Sequence, residues 1–274
     1  MAPAQAPRLV PVTSDPAPAH PAATVVLTRD TAESFEVLML RRTAALAFLA
    51  GVYVFPGGRV DDADRVHAAG DEGGALRIAA VRELVEEAGI LLARRGSRWA
   101  TSEEADRVRA ALRDGDTLAA SLGRDGLEPA IDVLLLFGRI VTPQGQPKRF
   151  DTHFLVAALP AGQAPSHDAG ETDDIAWVEP GRATDPAWAS TLQLAPPTWF
   201  TLALVGHAAS SRALRDWAAA RDVVRIEPHL ELTASGRRVT FPNEPELSSW
   251  HGPDGIVFDA GKEAWSPPPT GRLS

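Results

Sequence analysis

An α/β fold built on a mixed β-sheet is what this sequence predicts, and three observations predict it. Short aliphatic and β-branched runs recur along the chain, in the pattern expected of strands. Helix-like segments lie among them without the regular strand–helix–strand rhythm of a doubly wound parallel sheet. The composition is globular as well. Hydrophobic residues make up 45% and charged residues 23% of 274 positions, enough apolar material for a packed core.

The elements follow in order. The opening residues 1–21 carry prolines at 3, 7, 11, 16, 18 and 21 and are expected to form a loose or disordered arm. Ala23–Thr28 and Phe35–Leu40 read as two strands joined by a hairpin connection, and Arg41–Ala50 as a loop. Gly51–Phe55 is a short strand that stops at Pro56-Gly57-Gly58, where proline fixes φ and the glycines allow conformations other residues avoid. Arg59–Gly74, polar and rich in Asp and Gly, reads as a loop. Ala75–Ala88 is the strongest helix, with Gly89 placed for a left-handed cap. Thr101–Gly123 is helical with a break near Gly115. Ile131–Ile140, Thr152–Leu159 and Ile175–Val178 read as strands. Thr198–Ala220 reads as one long amphipathic helix, and Val223–Leu232 with Arg237–Phe241 as strands around a Ser235-Gly236 turn. The tail from Pro267 to Ser274 is expected to be loose.

The chemistry is concentrated in Arg82-Glu83-Leu84-Val85-Glu86-Glu87-Ala88-Gly89-Ile90. At about 100° per residue, Glu86 falls near −60° and Glu87 near +40° from Glu83, so the three carboxylates share one helix face. Val81, Leu84, Val85 and Ala88 form the opposite, buried stripe. Arg82 and Glu86 stand as i,i+4 partners. Acidic runs on helices are ordinarily solvated faces. Three carboxylates side by side also repel one another, and a hard divalent cation relieves that repulsion. Mg²⁺ takes oxygen ligands and shares its shell with substrate phosphates. The reaction implied is attack of water on a phosphoryl centre.

The order of a strand ending Phe55-Pro56-Gly57-Gly58, an acidic loop, and a helix with R-E-x-x-E-E-x-G-I resembles the Nudix hydrolase family, whose box reads G-x5-E-x7-R-E-U-x-E-E-x-G-U, with U aliphatic. Gly58 matches its first glycine, and Arg82, Glu83, Leu84, Glu86, Glu87, Gly89 and Ile90 match its second half. Two features depart. Position 64, six after Gly58, is Asp rather than Glu, and seventeen residues separate it from Arg82 where the box has seven, an insertion placed at about 62–74. The first box acid is thus left open among Asp61, Asp64, Glu72 or none of them. An interrupted box resembles the "nudix motif 19" branch, related to coenzyme A diphosphatases. Lys148-Arg149-Phe150-Asp151-Thr152-His153-Phe154, then Glu171 with Trp177 and Pro180, then Pro196-Pro197-Thr198 resemble further segments of that branch, in the same order. The upstream coenzyme A signature R-x3-G-x3-F-P-G-G is met by Gly51, Phe55, Pro56, Gly57 and Gly58, but Ala47 stands where its arginine belongs.

The resemblance implies a Nudix α/β/α sandwich with a mixed β-sheet over 22–180, and a C-terminal helix and β-hairpin extension over 181–274 packed on it. It implies Mg²⁺ or Mn²⁺ held by Glu83, Glu86 and Glu87. Glu83, Arg82 and Glu171 are the expected catalytic residues, with Arg82 orienting the carboxylates and Glu171 the candidate general base. Gly57, Gly58, Phe55, Arg42 and Arg149 are the expected substrate-binding residues. The substrate implied is a small nucleoside diphosphate derivative, first coenzyme A or acyl-coenzyme A. The alternatives are an ADP-ribose or NADH diphosphatase, or a non-catalytic nucleotide-binding module. His153 and His167 are weaker candidates for contact with phosphate or base, and Trp177, Trp188, Trp199, Trp217 and Trp250 fit packing roles.

Composition narrows the partners. A formal charge of −9 argues against sequence-blind nucleic-acid binding, which needs a Lys/Arg surplus. With no cysteine there is no disulfide, Cys-ligated zinc or thiol nucleophile. No G-x-S-x-G and no G-x-x-x-x-G-K-[ST] occurs. No stretch of about 20 apolar residues suggests a membrane span, and the proline-broken start does not resemble a signal peptide. A cytoplasmic protein is expected, without nucleic-acid or membrane partners, and a homodimer is compatible with the family.

Overall fold

The computed structural model describes residues 8–9, 17–43, 51–167, 170, 172–184, 192–233, 236–240, 256–259 and 264–266. Its strands are β1 (Arg8–Leu9), β2 (Ala19–Asp30), β3 (Phe35–Arg42), β4 (Tyr53–Val54), β5 (Gly57–Arg59), β6 (Ala93–Arg95), β7 (Arg98–Trp99), β8 (Glu128–Pro129), β9 (Leu135–Val141), β10 (Arg149–Ala158), β11 (Thr172–Val178), β12 (Arg225–Ile226), β13 (His229–Thr233), β14 (Gly236–Thr240), β15 (Ile256–Asp259) and β16 (Ala264–Ser266). The helices are α1 (Asp62–His67), α2 (Glu72–Ala88), α3 (Ser102–Arg113), α4 (Leu118–Arg124), α5 (Pro196–Val205) and α6 (Ser211–Ala220).

The central sheet has eight strands in the order β11-β3-β2-β10-β9-β12, with β4 on β3 and β5 on β2. It is mixed: β10 runs parallel to β2 and antiparallel to β9. Side chains alternate across it, as the period of two requires. Ala23, Val25 and Leu27 of β2, with Leu155 and Ala157 of β10, face α2 and join Leu84, Val85 and Ala88 in one core. Val26, Val37, Met39, Phe154 and Val156 face the other way, onto Trp199, Phe200 and Leu202 of α5 and Leu214 and Ala218 of α6. The result is helix, sheet, helix, as expected. Leu84 and Val85 are fully buried, and truncating such a Leu to Ala costs about 2–5 kcal/mol.

Several elements differ from expectation for local reasons. The segment read as an arm already contributes Ala19–Pro21 to β2, because β10 continues to Arg149 and pairs with Ala19. The segment read as a loop after Gly58 contains α1, capped by Asp61 and Asp64 reciprocally: Asp64 N–H donates to Asp61 Oδ1 at 2.9 Å, and Asp61 N–H to Asp64 Oδ2 at 3.0 Å. Helix α2 starts at Glu72, with Asp71 as its N-cap. Gly57–Arg59 does more than end a strand: it pairs with Ala22–Thr24. Ile131–Val133 is a 3₁₀ turn, and strand begins only at Leu135.

The long helix expected over 198–220 is two. It breaks between Gly206 and Ser210, and Ser210 caps α6 by accepting from Ala213 N–H at 3.1 Å. These two helices form the second layer of the sandwich. The sandwich expected over 22–180 therefore takes its second helical layer from 196–220, within the segment expected to be an extension, and its sheet takes β12 from there too. The expected hairpin is present as β13–β14, inside a five-stranded sheet ordered β1-β13-β14-β15-β16. The tail 267–274 lies outside the described residues.

Candidate active site

The site is built where α2 runs past β5. Proline and two glycines let the chain turn close beneath the helix, and a side chain at either glycine would collide with a neighbour. A Cβ on Gly57 would lie 2.4 Å from the Ala23 carbonyl oxygen, and one on Gly58 would lie 2.2 Å from Glu83 Oε1. Gly57 N–H donates to Glu87 Oε2 at 2.9 Å. The strand thus touches two of the three expected metal ligands, one through a hydrogen bond and one through the space a side chain would take.

Arg82 organises the rest. Its Nε and Nη2 form a fork on the Asp64 carboxylate, at 3.1 and 2.9 Å. Nη1 donates to Glu83 Oε1 at 2.9 Å and to Glu86 Oε2 at 2.8 Å. Nη2 also reaches the Arg59 carbonyl at 2.9 Å. Among the three acids weighed for the first box position, Asp64 is the one buried on Arg82, its side chain 2% exposed. Asp61 lies 3.6 Å from Arg82 Nε and is half exposed, and Glu72 is turned outward to Arg65 at 3.6 Å. The inserted residues thus fold into α1 and deliver Asp64 to Arg82 by another route.

One guanidinium serves three carboxylates here, and the charge is not balanced. Burial pushes the Glu83 carboxyl up to about 7; Arg82 opposes this, while Glu86 and Asp64 add to it. Glu86 is raised too, by burial first, again against Arg82. Burial works against the Arg82 cation, but the hydrogen bond to Asp64 and the charges of Glu83, Asp64 and Glu86 outweigh it, so Arg82 holds its proton more firmly than an ordinary arginine.

This donor set fits a hard divalent cation: oxygen donors only, an excess of negative charge, and one buried carboxyl that is costly as an anion until a cation arrives. The side chains are not gathered for one in the present arrangement. Among the described residues no three His, Asp or Glu side chains form a ready metal-binding group, since Glu83 and Glu86 turn to Arg82 and Glu87 to Gly57.

Other expected site residues lie elsewhere. Phe55 is buried in the core beneath α5, so its ring packs and is not presented to a substrate. Arg149 is buried and spent on the fold: it donates to the carbonyls of Thr142 and Ala17, both at 3.0 Å, and to Glu227 Oε1 at 2.6 Å. It lies four residues before His153, the residue of β10 level with Ala23 and Gly58. Arg42 ends β3 opposite Thr172, on the same face of that strand as Leu38 and Leu40. Glu171 and Ala47 lie outside the described residues. Burial lowers the His153 pKa, and its Nδ1 lies 3.2 Å from the Asp151 carbonyl oxygen.

Arg109 belongs to no motif in the sequence. It is buried and bonded to the C-terminal end of α2. Its only sequence signal is an arginine on the apolar side of a helix, between Val108 and Leu112.

A two-faced sandwich whose glycine turn meets an R-E-x-x-E-E helix defines a Nudix-type hydrolase. The chain belongs to the NUDT19 Nudix domain family, whose profile matches residues 67–205, just over half of it, and the general NUDIX domain profile matches 18–114. It is 31% identical to the putative nudix hydrolase 7 of Caenorhabditis elegans over 196 residues, covering 72% of this chain and 61% of that protein. It is 27% identical to the human acyl-coenzyme A diphosphatase NUDT19, covering 78% of this chain and 72% of that one. Among solved structures, a NUDIX hydrolase from Alicyclobacillus acidocaldarius is 31% identical with a TM-score of 0.59, covering 68% of this chain and 90% of that chain. Among the described residues no helix is long and apolar enough to cross a membrane.

Proposed function

We propose that this hydrolase splits the diphosphate linkage of coenzyme A or an acyl-coenzyme A, with Mg²⁺ or Mn²⁺ bound, to give adenosine 3′,5′-bisphosphate and a 4′-phosphopantetheine product. The observation that carries the reading is the convergence of Glu83 and Glu87 on the Gly57–Gly58 turn, with Glu86 beside them and one arginine shared by Glu83 and Glu86. The names of the human and chicken relatives, both acyl-coenzyme A diphosphatases at 27% identity, support the substrate.

Glu83, Glu86 and Glu87 would hold the cation. When bound, it supplies charge neutralisation on the diphosphate and acidifies water. The chain's own residues set the geometry. Asp64 fixes Arg82, and Arg82 keeps Glu83 and Glu86 at one end of α2. The absence of side chains at 57 and 58 leaves room for the strand against β2 and for the Glu83 carboxylate beside it. Water adds to one phosphorus, the bridging P–O bond breaks, and the departing phosphate takes the electron pair. The attacking water loses its proton to a general base, a role proposed for Glu171.

The test is a product assay with Mg²⁺ or Mn²⁺ on coenzyme A, acetyl-coenzyme A, ADP-ribose and NADH in parallel. Release of adenosine 3′,5′-bisphosphate, with the last two slow, is the expected result. AMP from ADP-ribose or NADH as the dominant product would overturn the substrate, and no turnover of any of the four would remove the support for catalysis on these linkages.

A further inference from the structure

The last carbonyls of a helix have no partner inside it, and Glu86 and Glu87 lie in the last turn of α2, which ends at Ala88. No basic side chain stands in its last turn. The partners come from outside. Arg109 reaches over from α3 and donates from Nε to the Glu86 carbonyl at 2.9 Å and from Nη2 to the Glu87 carbonyl at 3.2 Å. Its Nη1 donates to Ser166 Oγ at 2.9 Å, while Ser166 N–H takes the Ala88 carbonyl at 2.9 Å. Gly89 turns left-handed at φ 67°, and a Cβ there would lie 2.5 Å from Ser166 Oγ and 3.2 Å from Arg109 Nη1. Gln163 anchors the loop that carries Ser166, bonding Leu91 N–H and the carbonyls of Leu91 and Ala100 at 2.8–3.0 Å. Arg109 is 5% exposed, so water does not substitute for these bonds readily.

We propose that Arg109 is a positioning residue for the catalytic cation. It grips the backbone of the two glutamates whose side chains are to hold the ion, and so fixes the turn from which both carboxylates project. This rests on the assignment of Glu86 and Glu87 as ligands. Positioning and plain electrostatics have opposite signs here, which makes the idea testable. A cation near the site repels a metal ion, so by charge alone removing Arg109 would tighten binding. If Arg109 acts by holding the last turn in register, removing it weakens binding, and lysine, which keeps the charge but lacks the fork, does not restore it fully.

The experiment is Mn²⁺ titration of the full chain, read from the paramagnetic resonance of free Mn²⁺, on wild type, R109Q, R109K, R98Q and E86Q, each checked by circular dichroism melting. Arg98 bonds Glu104 at the start of the same helix and touches none of these carbonyls. R98Q therefore loosens α3 without releasing α2. The expected result is Mn²⁺ affinity 10–100-fold weaker in R109Q, the range for groups that orient ligands, weaker also in R109K, and unchanged in R98Q. R109K carries the test if R109Q does not fold. Wild-type or tighter binding by the Arg109 variants, with E86Q weakened, would overturn the positioning role alone. Equal weakening in R98Q would reduce it to general stability. Wild-type binding by E86Q would remove the ligand assignment, and the proposal with it.

Discussion

Glu83 on α2 is largely buried and Glu104 on α3 is buried, and both are bonded to arginine, yet they are held in opposite states. Glu104 takes both Nη groups of Arg98 at 2.9 and 2.8 Å, Arg95 Nη2 at 3.2 Å, and the Thr101 N–H at 2.9 Å in a capping box. Led by the Arg98 hydrogen bonds, these partners hold its carboxyl down at about 2. Glu83 shares a single arginine with Asp64 and Glu86, and its carboxyl rises to about 7. In the first place cations outnumber the acid, and the acid serves the fold. In the second, acids outnumber the cation, and the surplus is a cost to the empty protein that a bound ion would remove.

The largest break in that contrast is chemical. Glu86→Gln or Glu87→Gln should lower turnover by about 10²–10³-fold, the scale for losing one fixed electrostatic group, with the melting temperature held or slightly raised. Glu104→Gln should leave turnover near wild type in the same steady-state assay. Gly58→Ala comes next. Its Cβ displaces the Glu83 carboxylate, and turnover should fall by about 100-fold, the penalty for a misplacement of about 1 Å.

The pH dependence of stability sharpens the contrast further, followed by urea unfolding with chelator present. A raised carboxyl costs nothing while protonated, and its burial penalty grows as pH climbs from the ordinary value near 4.5 through about 7. Glu83→Gln should therefore match wild type at pH 4 and become the more stable protein across that window, by on the order of 1–3 kcal/mol. Glu104 has the other sign. Its contribution is present above the ordinary carboxylate range and is lost as pH falls toward 2, so Glu104→Gln should cost on the order of 1–3 kcal/mol at pH 7, with the gap closing in acid. The smallest effect is expected of Arg95→Gln, which removes a half-exposed partner while Arg98 stays, below about 1 kcal/mol in the same unfolding experiment.

Local signals in the sequence were legible where one element acts alone. The helix through Arg82–Ala88, its buried stripe and the Gly89 cap all follow from spacing and are as expected. The sequence does not single out Asp64 from Asp61 or Glu72, because the choice depends on how α1 folds back. The Asp61-x-x-Asp64 capping pair was the available sign of that helix. The split between α5 and α6 was also signalled, by Gly206 and then Ser210, but a continuous apolar pattern concealed it. The places of Phe55 and Arg149 are hidden from the sequence for a different reason. Which face of a strand a side chain takes, and what a loop such as Glu227 brings to it, depends on contacts more than seventy positions apart. Arg109 gripping α2 is of the same kind.

The far face of the sheet has a consequence for how this protein can be cut or recombined. A fragment ending at residue 180 would retain every box residue and still leave Val26, Met39, Phe154 and Val156 bare, since their cover arrives with Trp199, Phe200 and Leu214. Such a fragment should go to inclusion bodies, and a chimaera joined between 184 and 192 would need a donor whose helices fit this sheet. The acidic helix and the segment after 195 are thus a single unit of inheritance, and a crossover between them separates the chemistry from the surface that keeps it folded.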